Sequence, residues 1–157
     1  MPLFLDPSGL IFTAAVGAAS LLVPRMQHQL QVAAEPRSEL ESIQVLTWRQ
    51  CQNRLQAAFG HRGYEVSPAP TSSHGAFDLV LRQAGKRILV HCRHWNVWTV
   101  RAEPVRELAE AVRQEGADLG LVLTCGSYAE DADRAAREAP IELIDGPGLV
   151  ELLSEAA

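Results

Sequence analysis

At 157 residues the chain has room for one ordinary domain and a short appendage, which excludes a large barrel or a multi-span transporter. Hydrophobic residues at 47% and charged residues at 21% allow a buried core and exclude a disordered or fibrous chain. The net charge of −5, taken alone, argues against nucleic acid, and Cys51, Cys92 and Cys125, far apart and without a CxxC pair, exclude a disulfide framework and fit a reducing compartment.

The charge is divided along the chain. Residues 1–45 carry two basic groups and four acids; residues 46–106 carry nine basic groups and three acids; residues 107–157 carry three basic groups and twelve acids. The middle block is therefore net +6 and the last block net −9. Such a split suggests one face for a polyanion and another kept soluble, or else clustering on solvated surfaces.

The first element in chain order is apolar. Residues 7–24 hold 18 uncharged positions, which as a helix span roughly 27 Å against a bilayer core of roughly 30 Å. Gly9, Thr13, Gly17 and Ser20 fall on one side of it, a spacing suited to helix pairing in lipid. No Lys or Arg precedes the stretch and Arg25 follows it, which argues against a secretory signal and places the rest of the chain on the cytoplasmic side. Two readings stand: a membrane anchor within residues 1–24, or a helix packed on the domain or on a partner. Residues 25–45, rich in Gln, Glu and Ser around Pro36, read as a linker, and residues 46–157 as the globular domain.

Thr47 and Gln50 form a T-x-x-Q capping box for a helix whose apolar stripe is Trp48, Cys51, Leu55, Ala58 and Phe59, stopped by Gly63. Tyr64–Ser67 is a short strand. Phe77–Arg82 and Arg87–Arg93 are strands joined through Gln83-Ala84-Gly85-Lys86. Pro104 opens a helix carrying Val105, Leu108, Ala109 and Val112 and closed by Gly116. Leu119–Thr124 is a buried strand, Ser127 and Glu130 cap a helix to about Arg137, Ile141–Ile144 is a strand, and Pro147–Ser154 a last helix. The order α-β-β-β-α-β-α-β-α predicts an α/β fold, a mixed sheet flanked by helices.

The central hairpin gathers chemistry. With its turn centred on Ala84-Gly85, Arg82 pairs with Arg87 and Asp78 faces His91. Alternation puts Phe77, Leu79, Leu81, Ile88, Val90 and Cys92 on an apolar face, and Asp78, Val80, Arg82, Arg87, Leu89, His91 and Arg93 on the other. An acid, an imidazole and a guanidinium then meet at one end of a sheet face. They can hold a divalent metal and stabilise a phosphorane-like charge, or form a structural cluster on an exposed hairpin. Zinc is disfavoured, because His91 and Cys92 point to opposite faces and no ligand pair has finger spacing. Trp95 and Trp98 either stack on bases or sugars or plug the junction between sheet and helix. Cys125 precedes a helix N-terminus, where a thiolate is favoured, but no base is placed beside it.

From Trp48 to Leu153 the sequence resembles the Mrr-type restriction endonuclease domain of the PD-(D/E)xK nuclease superfamily. The motifs that carry this are Gly63-Tyr64-Glu65-Val66, Gly75-Ala76-Phe77-Asp78, His91-Cys92-Arg93-His94-Trp95, Val105-Arg106-Glu107-Leu108, Thr124-Cys125-Gly126-Ser127 and Leu143-Ile144-Asp145-Gly146. The resemblance implies a restriction-endonuclease-like fold, an α-β-β-β-α-β core with a β-α extension. It also implies hydrolysis of DNA phosphodiester bonds with magnesium or manganese, carboxylates binding the metal and a lysine orienting the water. Asp78 matches the metal-binding aspartate. The usual Gln or Glu is His91, the usual Lys is Arg93, the first-helix acid is Gln52, and a further acid before Gly75 is His74. Arg93 keeps the charge but is a poor proton carrier, and imidazole suits magnesium badly.

Two function classes follow. One is a metal-dependent endodeoxyribonuclease with Asp78, His91, Arg93 and Gln52 as catalytic residues and Asp78 and His91 as metal ligands. The other is a catalytically lapsed nuclease fold that binds nucleic acid or a protein partner. In both, Arg82, Arg87, Arg93 and Trp95 are the expected DNA contacts. The expected partners are DNA, the membrane through residues 7–24, and a second copy of the chain in a homo-oligomer. The expected location is the cytoplasm, tethered to the inner membrane's cytoplasmic face.

Overall fold

The computed structural model of the chain describes residues 36–92 and 97–154, and its first helix lies within the expected linker. Helix α1 (Pro36–Gln44) buries Ile43, and Leu40 approaches Gly146, so an apolar pair spaced three apart is enough to dock this segment. Helix α2 (Trp48–His61) starts where the capping box predicts. The Gln50 N–H donates to Thr47 Oγ1 at 3.3 Å, and the Thr47 N–H donates to Gln50 Oε1 at 2.8 Å. Gly63, at φ 83°, turns the chain into β1 (Glu65–Pro68).

The hairpin of β2 (Leu79–Gln83) and β3 (Lys86–His91) forms in the predicted register, with Arg82 opposite Arg87 and Leu79 opposite Val90. Its two-residue turn holds Ala84 and Gly85 at positive φ, the mirror-type turn that matches strand twist. Two residues, Thr99–Val100, make the short strand β4. Helix α3 (Ala102–Gln114) begins two residues before Pro104, and β5 (Leu119–Leu123) follows. Then come β6 (Ser127–Tyr128), α4 (Glu130–Arg137), β7 (Ile141–Ile144) and α5 (Gly146–Ser154). The main sheet has the order β1-β2-β3-β5-β7, antiparallel through β3 and parallel from β3 to β7, while β4 and β6 form a separate parallel pair.

Ser127 does not cap α4. It sits in β6, where its N–H donates to the Trp98 carbonyl at 2.9 Å, and Ala129 holds the N-cap position instead. The tertiary pairing of β6 with β4 overrides the local capping signal.

Helices α3 and α4 cover one face of the sheet. Val105, Leu108, Val112, Ala132 and Ala135 pack there against Val80, Leu89, Val122 and Ile141. The alternate strand residues Leu79, Leu81, Ile88 and Val90 are buried on the other face, on the side of α2 and α5, which pack on each other and on β1 and β7. Both faces of the hairpin are thus buried, so the alternative that placed Asp78 and His91 on an exposed hairpin does not hold as to exposure. The six predicted core residues are all buried, but Phe77 joins Val80 and Leu89 rather than Leu79. The reason lies at Asp78, whose N–H donates to the Val90 carbonyl at 2.7 Å, one residue short of the ladder's pairing. Such a bulge reverses the alternation upstream of it.

Two glycines fix close approaches. A Cβ on Gly120 would lie 2.5 Å from Ile141 Cδ1 and 2.9 Å from Leu108 Cδ2, so its absence lets α3 sit on the sheet. A Cβ on Gly126 would overlap the backbone carbonyls of Trp98 and Val97, which cannot rotate away. Gly126→Ala is expected to lower stability by about 1–3 kcal/mol or more, read by chemical denaturation. Gly60→Ala, where nothing lies within 4 Å, is expected to be neutral or stabilising. Equal stability of the two variants would contradict the packing described.

Among the described residues no helix is long and apolar enough to cross a membrane. The longest of them, α2, has 14 residues, so it spans roughly 21 Å against a bilayer core of roughly 30 Å. The expected membrane partner and the inner-membrane tether are therefore withdrawn; the segment on which they rested, residues 7–24, lies outside the described residues.

Candidate active site

Asp78 immediately precedes β2 and is tied at both backbone polar groups. Its N–H bonds Val90 as above, and its carbonyl accepts the Ala69 N–H at 2.9 Å. Its carboxylate Oδ2 accepts the Cys92 N–H at 2.9 Å. His91, the last residue of β3, is 2% exposed, and Asp78 6%. The His91 Nδ1 lies 3.8 Å from Asp78 Oδ2. The structure therefore brings together the two residues that the register predicted to meet.

Among the described candidates, it does not group Gln52, Arg82 or Arg87 with them. Gln52 is half-buried on α2, whereas strand alternation groups His91 with Leu89 on the α3–α4 side of the sheet. Arg82 and Arg87 sit at the hairpin tip, four residues from Asp78 and His91, or roughly 13 Å along the strands. Arg93 and Trp95 lie outside the described residues.

Arg87 is occupied. Its Nη2 bonds Glu115 Oε2 at 2.8 Å and its Nη1 bonds the Glu115 carbonyl at 2.8 Å. Its N–H donates to Asp118 Oδ2 at 2.8 Å, and the Asp118 N–H returns a bond to its carbonyl at 2.8 Å. Arg87 thus clips the turn after α3 to the start of β3, and its charge is matched by acids some thirty residues away, which sequence periodicity cannot show. Arg82 is exposed.

Cys51 and Cys125 do not supply a nucleophile. Burial pushes the Cys125 thiol up to about 11. Burial, and then the neighbouring Cys125, push Cys51 up to about 12. Both thiols stay protonated near neutrality and the helix-terminus advantage at Cys125 is outweighed. Trp98, by contrast, does not plug the junction between sheet and helix: it is 82% exposed.

Among the described residues no group of three or more His, Cys, Asp or Glu side chains could hold a metal ion. Magnesium takes an octahedral shell of oxygens and keeps several waters besides its carboxylates. The Asp78–His91 couple offers one carboxylate, with an oxygen already accepting the Cys92 N–H, and an imidazole better matched to zinc, copper or iron than to magnesium or manganese. These donors do not fit a hard divalent cation.

Residues 43–153 match the family model of the Mrr-type restriction endonuclease catalytic domain. The chain belongs to the Mrr-type restriction endonuclease family. Its mixed sheet with flanking helices is the restriction-endonuclease-like fold of that family. No curated protein matches the chain. A solved structure, the MspJI restriction endonuclease in complex with a 27-mer oligonucleotide, is similar at 16% identity and a TM-score of 0.49. That likeness covers 78% of this chain and 32% of the other, so this Mrr-type domain spans about a third of that protein's length.

Proposed function

We propose that this Mrr-type domain binds DNA and does not hydrolyse it with magnesium. The observation that carries this reading is the Asp78–His91 couple, a single carboxylate beside an imidazole where the family's chemistry asks for a carboxylate cluster. Asp78 holds the N–H of Cys92, so its charge serves the joint between β2 and β3. His91, at the position where the family has Gln or Glu, brings no negative charge to a cation, while the basic block, net +6 over residues 46–106, is kept. Family membership and this charge support DNA as the partner, with exposed Arg82 and the sequence neighbour Arg93 as phosphate contacts.

A labelled duplex titrated with the full chain tests the binding half. Affinity is expected to fall steeply with salt, with log K changing by about 0.9 per log salt for each phosphate contact. Arg82→Ala should shallow that slope by about one contact. Absence of binding at low salt would contradict the reading and point to a protein-interaction module.

A further inference from the structure

We propose that Trp98 is a stacking platform for an unpaired nucleobase, set at the same end of the sheet as Asp78 and His91; the proposal rests on the DNA-binding reading above. Three observations carry it. The first is position. Val122 is the register partner of His91, and Thr124, two residues further on, donates its hydroxyl to the Val97 carbonyl at 3.3 Å. Trp98 therefore stands beyond the carboxyl ends of β3 and β5, the edge at which open α/β sheets receive ligands.

The second is rigidity. The Trp98 carbonyl accepts the Ser127 N–H at 2.9 Å and the Ser127 hydroxyl at 3.3 Å. The next residues, Thr99 and Val100, pair in parallel with Ser127 and Tyr128. Gly126 leaves no room between the two backbones. The Tyr128 hydroxyl in turn donates to the Val122 carbonyl at 2.7 Å and lies 3.1 Å from the Ile144 carbonyl. The indole is thus presented from a clamped backbone, so little ordering is required of the chain when it is covered.

The third is isolation. Trp98 is 82% exposed, and among the described residues the other exposed large apolar side chain is Val45, in the turn after α1. Thr99, Arg101 and Ser127, near it in the chain or across the β4–β6 pair, are exposed and polar; the Arg101 side chain is 80% exposed, with its Nε 3.5 Å from Asp131 Oδ2. A protein interface wants a contiguous core of several apolar residues. Among the described residues, one exposed aromatic plane beside hydroxyls suits a nucleobase instead. Because paired bases in a duplex already stack on one another, such a platform acts on single strands, ends and extruded bases.

The test compares one labelled oligonucleotide as a single strand and as a duplex, against the natural chain, Trp98→Ala and Trp98→Phe. Trp98→Ala is expected to weaken single-strand binding by about five- to hundredfold. Duplex affinity, the salt slope and the melting temperature should be unchanged, and Trp98→Phe should recover most of the loss. Natural-chain binding that Trp98→Ala leaves unchanged on both substrates would overturn the platform and leave DNA binding intact. Equal weakening on single strand and duplex would also overturn it, as a general contact. Failure of the natural chain to bind either form would overturn the DNA-binding reading, and the platform with it.

Discussion

Replacing His91 with glutamate is expected to make the stability of the domain depend on magnesium. The His91 Nδ1 lies 3.8 Å from Asp78 Oδ2, and both side chains are almost fully buried. A second carboxylate there would face the first across a poorly solvated gap, and like charges that close resist ionising together. Placing an unmatched charge in such a site costs about 3–5 kcal/mol. The same pair of carboxylates begins the oxygen shell that a hard cation requires. Magnesium that binds the folded form alone then restores stability, by about 2.7 kcal/mol at a hundred times its dissociation constant. Melting curves with chelator and with magnesium should differ for His91→Glu and coincide for the natural chain. A variant indifferent to magnesium would mean that position 91 is not what keeps the cation out.

Asp78→Ala is expected to destabilise the fold, which a residue serving catalysis alone would not do. Its Oδ2 holds the buried Cys92 N–H at 2.9 Å, and removal takes away that acceptor. A buried donor deprived of its partner costs about 1–3 kcal/mol. Asp78→Asn keeps an acceptor oxygen in place and should lose less. Chemical denaturation of the three proteins should rank the natural chain above Asn and Asn above Ala. An alanine variant as stable as the natural chain would show that Asp78 is not a structural tie.

The hairpin is legible because two independent signals agree in it. The turn residues Ala84 and Gly85 and the apolar parity of Leu79, Leu81, Ile88 and Val90 specify one register. Extending that register by one residue predicts that Asp78 meets His91, and the His91 Nδ1 does lie 3.8 Å from Asp78 Oδ2, although the ladder ends at Leu79–Val90 and the Asp78 N–H bonds Val90. What the sequence hid was tertiary. The bulge at Asp78 moves Phe77 to the other face through one displaced hydrogen bond, and no periodicity records it. Arg87 looked like a phosphate contact until Glu115 and Asp118, distant in the chain, folded onto it. Ser127 and Glu130 satisfy a capping pattern, yet pairing with β4 takes Ser127 away. Helix α1 was missed because Pro36 and the polar residues around it outweighed Leu40 and Ile43, whose value appears only when α5 is there to receive them.

The most direct measurement is a plasmid nicking assay on the natural chain with magnesium and with manganese, beside Asp78→Ala and run at a salt concentration where binding is already demonstrated. A lone carboxylate beside His91 predicts bound but intact supercoiled plasmid in every lane. Efficient magnesium-dependent nicking by the natural chain, abolished by Asp78→Ala, would contradict it and make the Asp78–His91 couple a working nuclease centre.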